Sequence, residues 1–372
     1  MQPTPEQQLL FNLIKTALWP AQNNVLLPAG SGLVNWDEII SLAARQGVLG
    51  VSHDGFANAI STEMLPALPK AQQIRWELSV KYLEARHKRQ RAALKELVTL
   101  FRDNGMEILL LKGIGLAANY PVPSHRECGD LDIFLYGDYE RGNQLIESLG
   151  IAVNKEGSKH STFFFQGTPV ENHLSLLDIE HSQTNRNIEL RLREILAAQG
   201  HQTIYLDEVE VRIPAPDFTA IFLTRHDITH FLASGLVLRH LCDLSLFFSR
   251  NASSINFELF YKILEEESQI KLFSSFIELA QRYIGMPLDS IPVLMPEGST
   301  SNRIFQDTLN NSFRKISTEE RLKWWVLKRK AIWAIHLFNS KWKYNLAEDG
   351  IFYQRVMESL RSAFKKFTLI IH

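Results

Sequence analysis

Residues 109–135 read LLLKGIGLAANYPVPSHRECGDLDIFL and hold the features on which the interpretation of this chain depends. Asp130 and Asp132 are separated by one residue on a predicted strand. Because side chains alternate between the two faces of a strand, both carboxylates point the same way. Two carboxylates held side by side repel each other, and a hard divalent cation such as Mg²⁺ relieves that repulsion. The plain alternative is an exposed strand edge with two solvated acids. The apolar residues of the strand point to the opposite, buried face: Leu131, Ile133 and Leu135.

Basic residues and a glycine near the acid pair suit a phosphate-bearing ligand. Lys112 and Gly113 end a short apolar run, and a glycine at that place lets the main chain approach a phosphate closely. Arg126 precedes Asp130 by four residues, and a guanidinium binds phosphate through two parallel hydrogen bonds. The alternatives are a strand-ending lysine before an ordinary turn and an arginine paired with Glu127 or Asp130. Together with the acids, these residues predict metal-assisted phosphoryl or nucleotidyl transfer.

A two-metal site of this kind normally needs a third carboxylate on an adjacent strand. Glu171, in the run Pro169–His173, is the best placed candidate, because that run is predicted to be a strand beside the acid pair. His173 follows at i+2 on the same face, where it would hold a phosphate or orient Glu171. Asp178 and Glu189 are the alternative third acids.

Composition limits the class of protein. The 372 residues allow a large core and two or more domains, and 45% hydrophobic with 22% charged residues is ordinary for a globular protein. The net charge of −1 implies that any affinity for nucleic acid or anionic membrane comes from a local patch. Two cysteines, Cys128 and Cys242, argue against a disulfide framework. With no signal-peptide pattern and no apolar run of transmembrane length, we expect a cytoplasmic protein.

Hydrophobic periodicity divides the chain into three predicted regions. Residues 1–104 are helical, residues 105–215 form a catalytic core of strands and helices, and residues 216–372 are helical again. The expected strands are 106–111, 130–136, 163–166, 169–176 and 203–213; the expected helices include 69–104, 114–119 and 138–149. This order predicts an α+β protein in which a small mixed sheet is flanked by N-terminal and C-terminal helical regions.

The motif that runs from Lys112-Gly113 through Tyr120-Pro121 to Arg126-x-x-Gly129-Asp130-Leu131-Asp132 resembles a known family. It is similar to the uncharacterised bacterial nucleotidyltransferases of the polymerase-β-like superfamily. The resemblance covers roughly residues 36–245 and is most specific over 112–132. Three further patterns match: Trp36, Ile39, Leu42 and Ala43 on a helix; Val170, Glu171 and His173 on a strand; His230, Gly235, Arg239 and Asp243 downstream.

The resemblance implies a nucleotidyltransferase fold with Asp130, Asp132 and Glu171 as catalytic acids and as ligands of Mg²⁺ or Mn²⁺. The superfamily signature has Gly-Ser before the acid pair, whereas this chain has Lys112-Gly113. The serine that would contact the nucleotide phosphate is therefore absent, and Lys112 with main-chain N–H groups would substitute for it. The residues expected to bind the nucleotide are Lys112, Gly113, Arg126, Gly129 and His173.

The expected reaction follows from these roles. An acceptor hydroxyl would attack the α-phosphorus of an NTP, ATP first among the candidates, and pyrophosphate would leave. The family implies little about the acceptor, which we take to be a small molecule, a sugar or a protein. Two alternatives stay open: an RNA-end nucleotidyltransferase, and an inactive nucleotide-binding or protein-interaction module. The absent serine favours the inactive module, and three clustered acids oppose it.

The downstream helices carry candidate cleft residues. His230 and Arg239 are expected to face the cleft and to contact acceptor or nucleotide, and the resemblance extends this role to Asp243. Otherwise Arg239 and Asp243, at i and i+4, form an intrahelical ion pair. His226 and His230 have a spacing that suits zinc, but no third ligand is evident nearby.

Residues 314–343 combine nine Lys or Arg with two Glu and four Trp. Basic residues with interleaved aromatics bind RNA through phosphate contacts and base stacking. The same pattern suits an amphipathic helix on a membrane or partner. The favoured interpretation is a helix with a packed tryptophan face and a solvated basic face.

Overall fold

A computed structural model of the chain describes residues 2–20, 34–60, 68–180, 182–292, 298–309 and 340–347. In this part the chain begins with helices, continues as a mixed strand and helix unit, and returns to helices. The helices are α1 (Pro5–Leu18), α2 (Trp36–Arg45), α3 (Leu49–Ile60), α4 (Lys70–Asp103), α5 (Ile114–Ala117), α6 (Tyr139–Ser148), α7 (Gln183–Gln199), α8 (Pro216–Ala233), α9 (Leu238–Asn251), α10 (Phe257–Glu266), α11 (Ile270–Leu279), α12 (Gly298–Leu309) and α13 (Lys341–Ala347). Short 3-10 turns span Pro123–His125 and Ala252–Ser254, and Ala280–Ile284 is a π-helical turn.

The strands of the described residues form one mixed sheet in the order β3-β4-β2-β1-β6-β5. Parallel pairing joins β2 to β4 and β1 to β6, and the other neighbours are antiparallel. The strands are β1 (Leu109–Leu110), β2 (Leu131–Phe134), β3 (His160–Phe165), β4 (Thr168–His173), β5 (His201–Leu206) and β6 (Val209–Pro214). The predicted α+β class with a small mixed sheet is confirmed.

Two hydrophobic clusters cover the two faces of the sheet. Alternation along β1 and β2 sends Leu110 and Ile133 to a cluster built with α4, and sends Leu109 and Phe134 to the larger cluster built with the other helices. Because Asp132 and Phe134 are two residues apart, Asp132 lies on the face that the larger cluster covers. The predicted burial of Leu131, Ile133 and Leu135 on the opposite face is confirmed.

The first helices and the last described helices share that larger cluster. Phe11 of α1 packs against Tyr283 and Phe305, with ring centroids 5.0 and 5.7 Å apart. The indole of Trp19 donates a hydrogen bond to the carbonyl oxygen of Ile284 at 3.0 Å. The N-terminal helices are therefore packed directly on the C-terminal helices.

Several predicted elements differ in extent from those observed. The helix expected over 69–104 is α4, and the helix expected over 138–149 is α6. The single strand expected over 203–213 is wrong: it is the hairpin of β5 and β6, with a turn at Asp207, which has φ 55°. Apolar alternation runs through both strands, and the turn dipeptide Asp207-Glu208 lacks the glycine that normally marks such turns.

Further differences concern strand β1, helix α7 and the basic segment. Only Leu109 and Leu110 of the run expected over 106–111 join the sheet ladder, although Met106 and Ile108 are buried. Helix α7, which Ser182 caps through its hydroxyl, was not predicted. Most of the basic segment 314–343 lies outside the described residues.

Two simple expectations can be compared with the structure. Cys128 and Cys242 are both buried free thiols, as expected for a chain without a disulfide framework. Within the described ranges, no helix combines the length and apolar character that crossing a bilayer requires.

Candidate active site

Parallel pairing of β2 with β4 brings three acidic residues to one face of the sheet. Asp132 lies directly opposite Glu171 in the register, and Asp130 precedes β2 by one residue. Because side chains two residues apart share a face, the three carboxylates lie on the same side of the sheet. The expectation that the Glu171 strand pairs beside the acid strand is confirmed. Glu189, one of the alternative third acids, instead accepts main-chain hydrogen bonds from Leu176 and Leu177.

Asp132 is fully buried, with an ammonium group at one carboxylate oxygen and an imidazole ring at the other. The Nζ atom of Lys112 lies 3.0 Å from Oδ2, and Nε2 of His173 lies 3.1 Å from Oδ1. Burial alone would raise the pKa of Asp132, but Lys112 and His173 outweigh it and hold that pKa well below its usual value. Burial likewise opposes the charge of Lys112, yet Asp132 and Asp130 raise the pKa of the ammonium. Both groups are therefore ionised at neutral pH.

Asp130 is the more accessible acid of the pair. It has no ion pair within 4 Å among the residues that the structure describes. Partial burial, and then the adjacent charge of Asp132, raise the pKa of its carboxyl group, while Lys112 and Arg239 partly oppose that rise. Raised carboxyl pKa values are typical of like-charged pairs, which a bound cation would relieve.

His173 connects the acids of the two strands. Its Nε2 atom lies 3.1 Å from Asp132 Oδ1 and 3.5 Å from Glu171 Oε2, so one ring nitrogen faces both carboxylates. Burial lowers the pKa of His173, but hydrogen bonds to Asp132 and Glu171 raise it above its ordinary value. The same contact lowers the pKa of Glu171 against the effect of burial. The geometry agrees with the expected orienting role of His173.

The two glycines predicted to approach a phosphate differ in their constraints. Gly113 has φ +70°, and a Cβ atom there would lie 3.0 Å from the sulfur of Cys128, so the turn from β1 to α5 requires glycine. A Cβ atom on Gly129 would meet no atom within 4 Å. Nothing in the local packing requires glycine at 129, and the phosphate-binding role of both residues stays a prediction.

Arg126 has a different partner from those expected. Its Nε and Nη2 atoms donate hydrogen bonds of 2.7 and 2.8 Å to the two carboxylate oxygens of Asp243, and both side chains are buried. Tyr120 donates a third hydrogen bond, 2.7 Å long, to the same carboxylate. The expected ion pair of Arg126 with Glu127 or Asp130 is wrong, and Nη1 reaches only the main-chain oxygen of Glu127, at 3.5 Å. The predicted phosphate clamp does not fit this arrangement, because the bidentate edge of the guanidinium is already paired.

Asp243 is thus committed to Arg126, and the intrahelical ion pair between Arg239 and Asp243 is wrong. Arg239 instead donates from Nη1 to the carbonyl oxygen of Glu127 at 2.8 Å, while its buried Nε has no hydrogen-bond partner. Its charge opposes the rise in the pKa of Asp130. A cleft role for Arg239 stays a prediction that this placement supports, whereas Asp243 has a structural partner.

Three histidines form a separate cluster on α8 and α9. The Nε2 atoms of His226 and His230 are 3.2 Å apart, and the ring of His240 lies 4.8 Å from that of His230. Burial holds the pKa values of His226 and His240 well below normal, so both rings are neutral. The Nδ1 atom of His240 accepts a hydrogen bond from the N–H of Val237. Its Nε2 therefore carries the proton and offers no lone pair to a metal. Among the described residues, no third zinc ligand joins His226 and His230. The cleft role of His230 stays a prediction.

Sequence reasoning missed two residues beside the acids, Lys159 and His160. His160 is the first residue of β3, which begins three residues earlier than expected, and Lys159 directly precedes it. Nε2 of His160 is 3.6 Å from Oε1 of Glu171. Burial and the charge of Lys112 lower the pKa of Lys159, and Asp132 and Glu171 oppose that effect. Only the cross-strand register, in which His160 lies opposite His173, reveals this placement.

The donor set fits a hard divalent cation. Asp130, Asp132 and Glu171 supply carboxylate oxygens on one face, which is the ligand type that Mg²⁺ and Mn²⁺ prefer. The Oδ2 atom of Asp132 is buried and makes no hydrogen bond of good geometry, although the ammonium of Lys112 lies 3.0 Å away. A divalent cation would bind this oxygen by displacing the ammonium of Lys112.

Comparison with family models identifies the family of the chain. The family model described as "Uncharacterised nucleotidyltransferase" matches residues 33–285, more than half of the chain. The chain belongs to this family. Membership in the uncharacterised nucleotidyltransferase family supports a general nucleotidyltransferase role and a transferase activity. The matched region includes every candidate site residue.

Two other comparisons add little to the family assignment. A search of curated proteins found no match to this sequence. Among solved structures, the chain is similar to an antigenic nucleotidyltransferase-like protein from Paracoccidioides brasiliensis. The identity is 14%, the match covers 43% of this chain and 76% of that one, and the TM-score is 0.32. A TM-score of that size carries no structural argument.

Proposed function

We propose that this chain is a metal-dependent nucleotidyltransferase that moves an NMP from an NTP to a hydroxyl group of an acceptor. The observation that carries the proposal is the placement of Asp132 opposite Glu171 on parallel strands, with Asp130 on the same face. Three carboxylates in this position suit Mg²⁺ or Mn²⁺, and membership in a nucleotidyltransferase family fits the same chemistry.

Each residue of the site has a stated role in this proposal. Asp130, Asp132 and Glu171 hold the cation, and His173 orients Asp132 and Glu171 through its Nε2 atom. When bound, Mg²⁺ supplies positive charge that offsets the negative charge of the phosphates and lowers the pKa of an attacking hydroxyl. Catalysis by the protein then consists mainly of positioning the α-phosphorus against the acceptor oxygen.

Lys112 has two successive partners in this proposal. In the structure its ammonium lies 3.0 Å from Asp132 Oδ2, at the oxygen that a cation would use. A divalent cation at Asp132 would repel the ammonium, and the nearest new anion would be the triphosphate of the nucleotide. Lys112 would thus replace the missing serine as the phosphate contact, as a point charge rather than as a hydroxyl donor. Arg239, near Asp130, is the second candidate cation for the phosphates.

The proposal is tested by thermal shift with ATP, GTP, CTP and UTP, each with Mg²⁺, Mn²⁺ or EDTA. The variant is Asp130→Asn, because Asp130 has no ion pair whose loss would unfold the protein. Asp103→Asn is the matched control, since that acid is exposed at the end of α4. We expect a metal-dependent rise in Tm with one nucleotide, ATP first, that Asp130→Asn abolishes and the control retains. An equal rise in EDTA, or an unchanged rise in Asp130→Asn, would contradict the metal site.

The acceptor is a separate question from nucleotide binding. Once the nucleotide is known, its labelled form can be incubated with small molecules, sugars, proteins and RNA to find the species that gains label. Binding without transfer to any acceptor would favour the inactive module. Label on RNA ends, with affinity that falls steeply with salt, would favour the RNA-end alternative.

A further inference from the structure

A second group of ligating atoms lies at the edge of the acid cluster. It consists of His160 on β3 with Glu171 and His173 on β4, and one ligand atom from each lies within 4.8 Å of the others. The two histidines face opposite oxygens of Glu171, at 3.6 Å for His160 and 3.5 Å for His173. Ligands about 2.0–2.2 Å from one ion lie about 3 to 4.4 Å apart. The three side chains can therefore reach one ion with small adjustments.

The orientation of His173 is that of a metal-binding histidine. Its Nδ1 atom lies 3.3 Å from the carbonyl oxygen of Ser175, which can only accept, so Nδ1 carries a proton. A histidine that donates one ring N–H to a carbonyl oxygen presents its other nitrogen to a metal. That other nitrogen, Nε2, faces the carboxylates of Asp132 and Glu171. A ring held this way needs a cation, either a proton or a metal ion, between Nε2 and the acids.

His160 completes the group from the neighbouring strand. Its Nε2 atom is 3.6 Å from Glu171 Oε1, beyond hydrogen-bond distance, and its buried Nδ1 has no hydrogen-bond partner. The ring is held in place by strand register rather than by a polar contact, since His160 lies directly opposite His173 and the rings are 5.3 Å apart. Its side chain is 27% exposed, which gives an ion a path from solvent.

The chemistry of the donors determines which ion they prefer. Asp130 and Asp132 offer oxygen ligands alone, which suit Mg²⁺, whereas this group offers two imidazole nitrogens and one carboxylate. Imidazole nitrogen favours divalent transition metals and Zn²⁺, and it binds Mg²⁺ poorly. Glu171 belongs to both ligand sets, with the aspartates on one side and the two histidines on the other.

We propose that His160, Glu171 and His173 form a binding site for a divalent transition-metal ion or Zn²⁺, and that this site discriminates against Mg²⁺. The site does not depend on nucleotidyl transfer, because its ligands and its preference follow from the side chains alone. It adds a metal preference that the carboxylates of Asp130 and Asp132 do not have.

The test is calorimetric titration of the metal-free full-length chain with Zn²⁺, without nucleotide. The variant is His160→Gln, which keeps a polar side chain at an accessible strand edge but removes the ligand nitrogen. His201→Gln is the matched control, since His201 is an exposed histidine on the far edge strand β5. His226→Gln is a second control, because it removes one histidine of the separate cluster on α8 and α9. Near-UV circular dichroism checks that each variant is folded.

We expect Zn²⁺ to bind the wild type in the presence of excess Mg²⁺, and His160→Gln to weaken that binding at least about tenfold. The His201 and His226 variants should bind Zn²⁺ as the wild type does. The proposal is overturned if the wild type binds no Zn²⁺, if Mg²⁺ displaces it, or if His226→Gln rather than His160→Gln loses the site. Since no nucleotide is present, none of these results depends on the nucleotidyltransferase proposal, which Asp130→Asn tests separately.

Discussion

Histidines that the fold holds neutral make the stability of this protein depend on pH. His87 of α4 is buried, and its Nδ1 has no hydrogen-bond partner. Burial, with Arg91 and Arg126 nearby, lowers the pKa of His87 to about 4. Because the unfolded chain protonates this histidine more readily, its contribution to stability is present above pH 6.5 and is lost as the pH falls towards 4. His125 has the opposite sign: hydrogen bonds to Asp54 and Glu84 raise its pKa against the effect of burial.

We therefore predict that His87→Leu is more acid-stable than the wild type. At pH 5 the cost of keeping His87 neutral is about 2 kcal/mol, and at pH 7 it is close to zero. Urea unfolding at the two pH values measures the difference, and the comparison between variant and wild type cancels the contribution of His125. If the difference in unfolding free energy between variant and wild type is the same at pH 5 and pH 7, His87 titrates normally in the folded protein.

At the residue scale, local sequence predicted the acids but not all of their neighbours. The Asp-x-Asp spacing and the Glu171 strand follow from side-chain alternation, so Asp130, Asp132 and Glu171 could be placed on one face in advance. His160 could not, because its position depends on the register between β3 and β4. The partner of Arg126 could not be predicted either, since Asp243 is distant in sequence and no local pattern connects them.

At the scale of elements, the Arg126–Asp243 pair joins the loop before β2 to helix α9. Both side chains are almost fully buried, at 4% and 3% exposure, and the contact is bidentate. Removal of one partner would leave a buried charge uncompensated, which costs about 3 kcal/mol or more. Since the same loop leads into Asp130, this pair fixes the approach of the chain to the acids.

We predict that Asp243→Asn lowers the free energy of unfolding by about 3 kcal/mol. Glu194→Gln is the control, because Glu194 pairs with Arg191 at 3.2 Å on the surface, where both groups are exposed. That change should cost less than about 0.5 kcal/mol. Urea unfolding compares the two, and equal small effects would mean that the buried pair contributes no more than a surface pair.

The ends of the helices and strands show which sequence signals are sufficient to predict an element boundary. Helix α4 has continuous helical periodicity and a glycine stop, and it was predicted within one residue at each end. The β5–β6 hairpin was read as one strand because alternation alone cannot detect a turn without glycine or asparagine. Strand β1 is shorter than its apolar run, because pairing with β2 and β6, rather than burial, defines the ladder.

At the scale of the whole molecule, the larger hydrophobic cluster joins the first helix to the last described helices. Phe11 packs against both Tyr283 and Phe305, whose rings stack on each other 3.8 Å apart, and all three are buried. These contacts connect segments more than 250 residues apart in sequence, and periodicity alone could predict the amphipathic helices but not their partners. The face of the sheet that carries Asp132 is covered by the same cluster, so the site depends on it.

We predict that Phe11→Ala destabilises the whole protein by about 3 to 5 kcal/mol, because it leaves a cavity where two other rings now pack. The loss should appear as one shifted transition, with far-UV and near-UV circular dichroism melting together, since the cluster includes both α1 and the last described helices. Phe164→Ala is the matched control: that phenylalanine is 69% exposed on β3 and should change Tm little. Separate transitions, with only the N-terminal helices lost, would mean that the C-terminal helices hold the acid-bearing face of the sheet without α1.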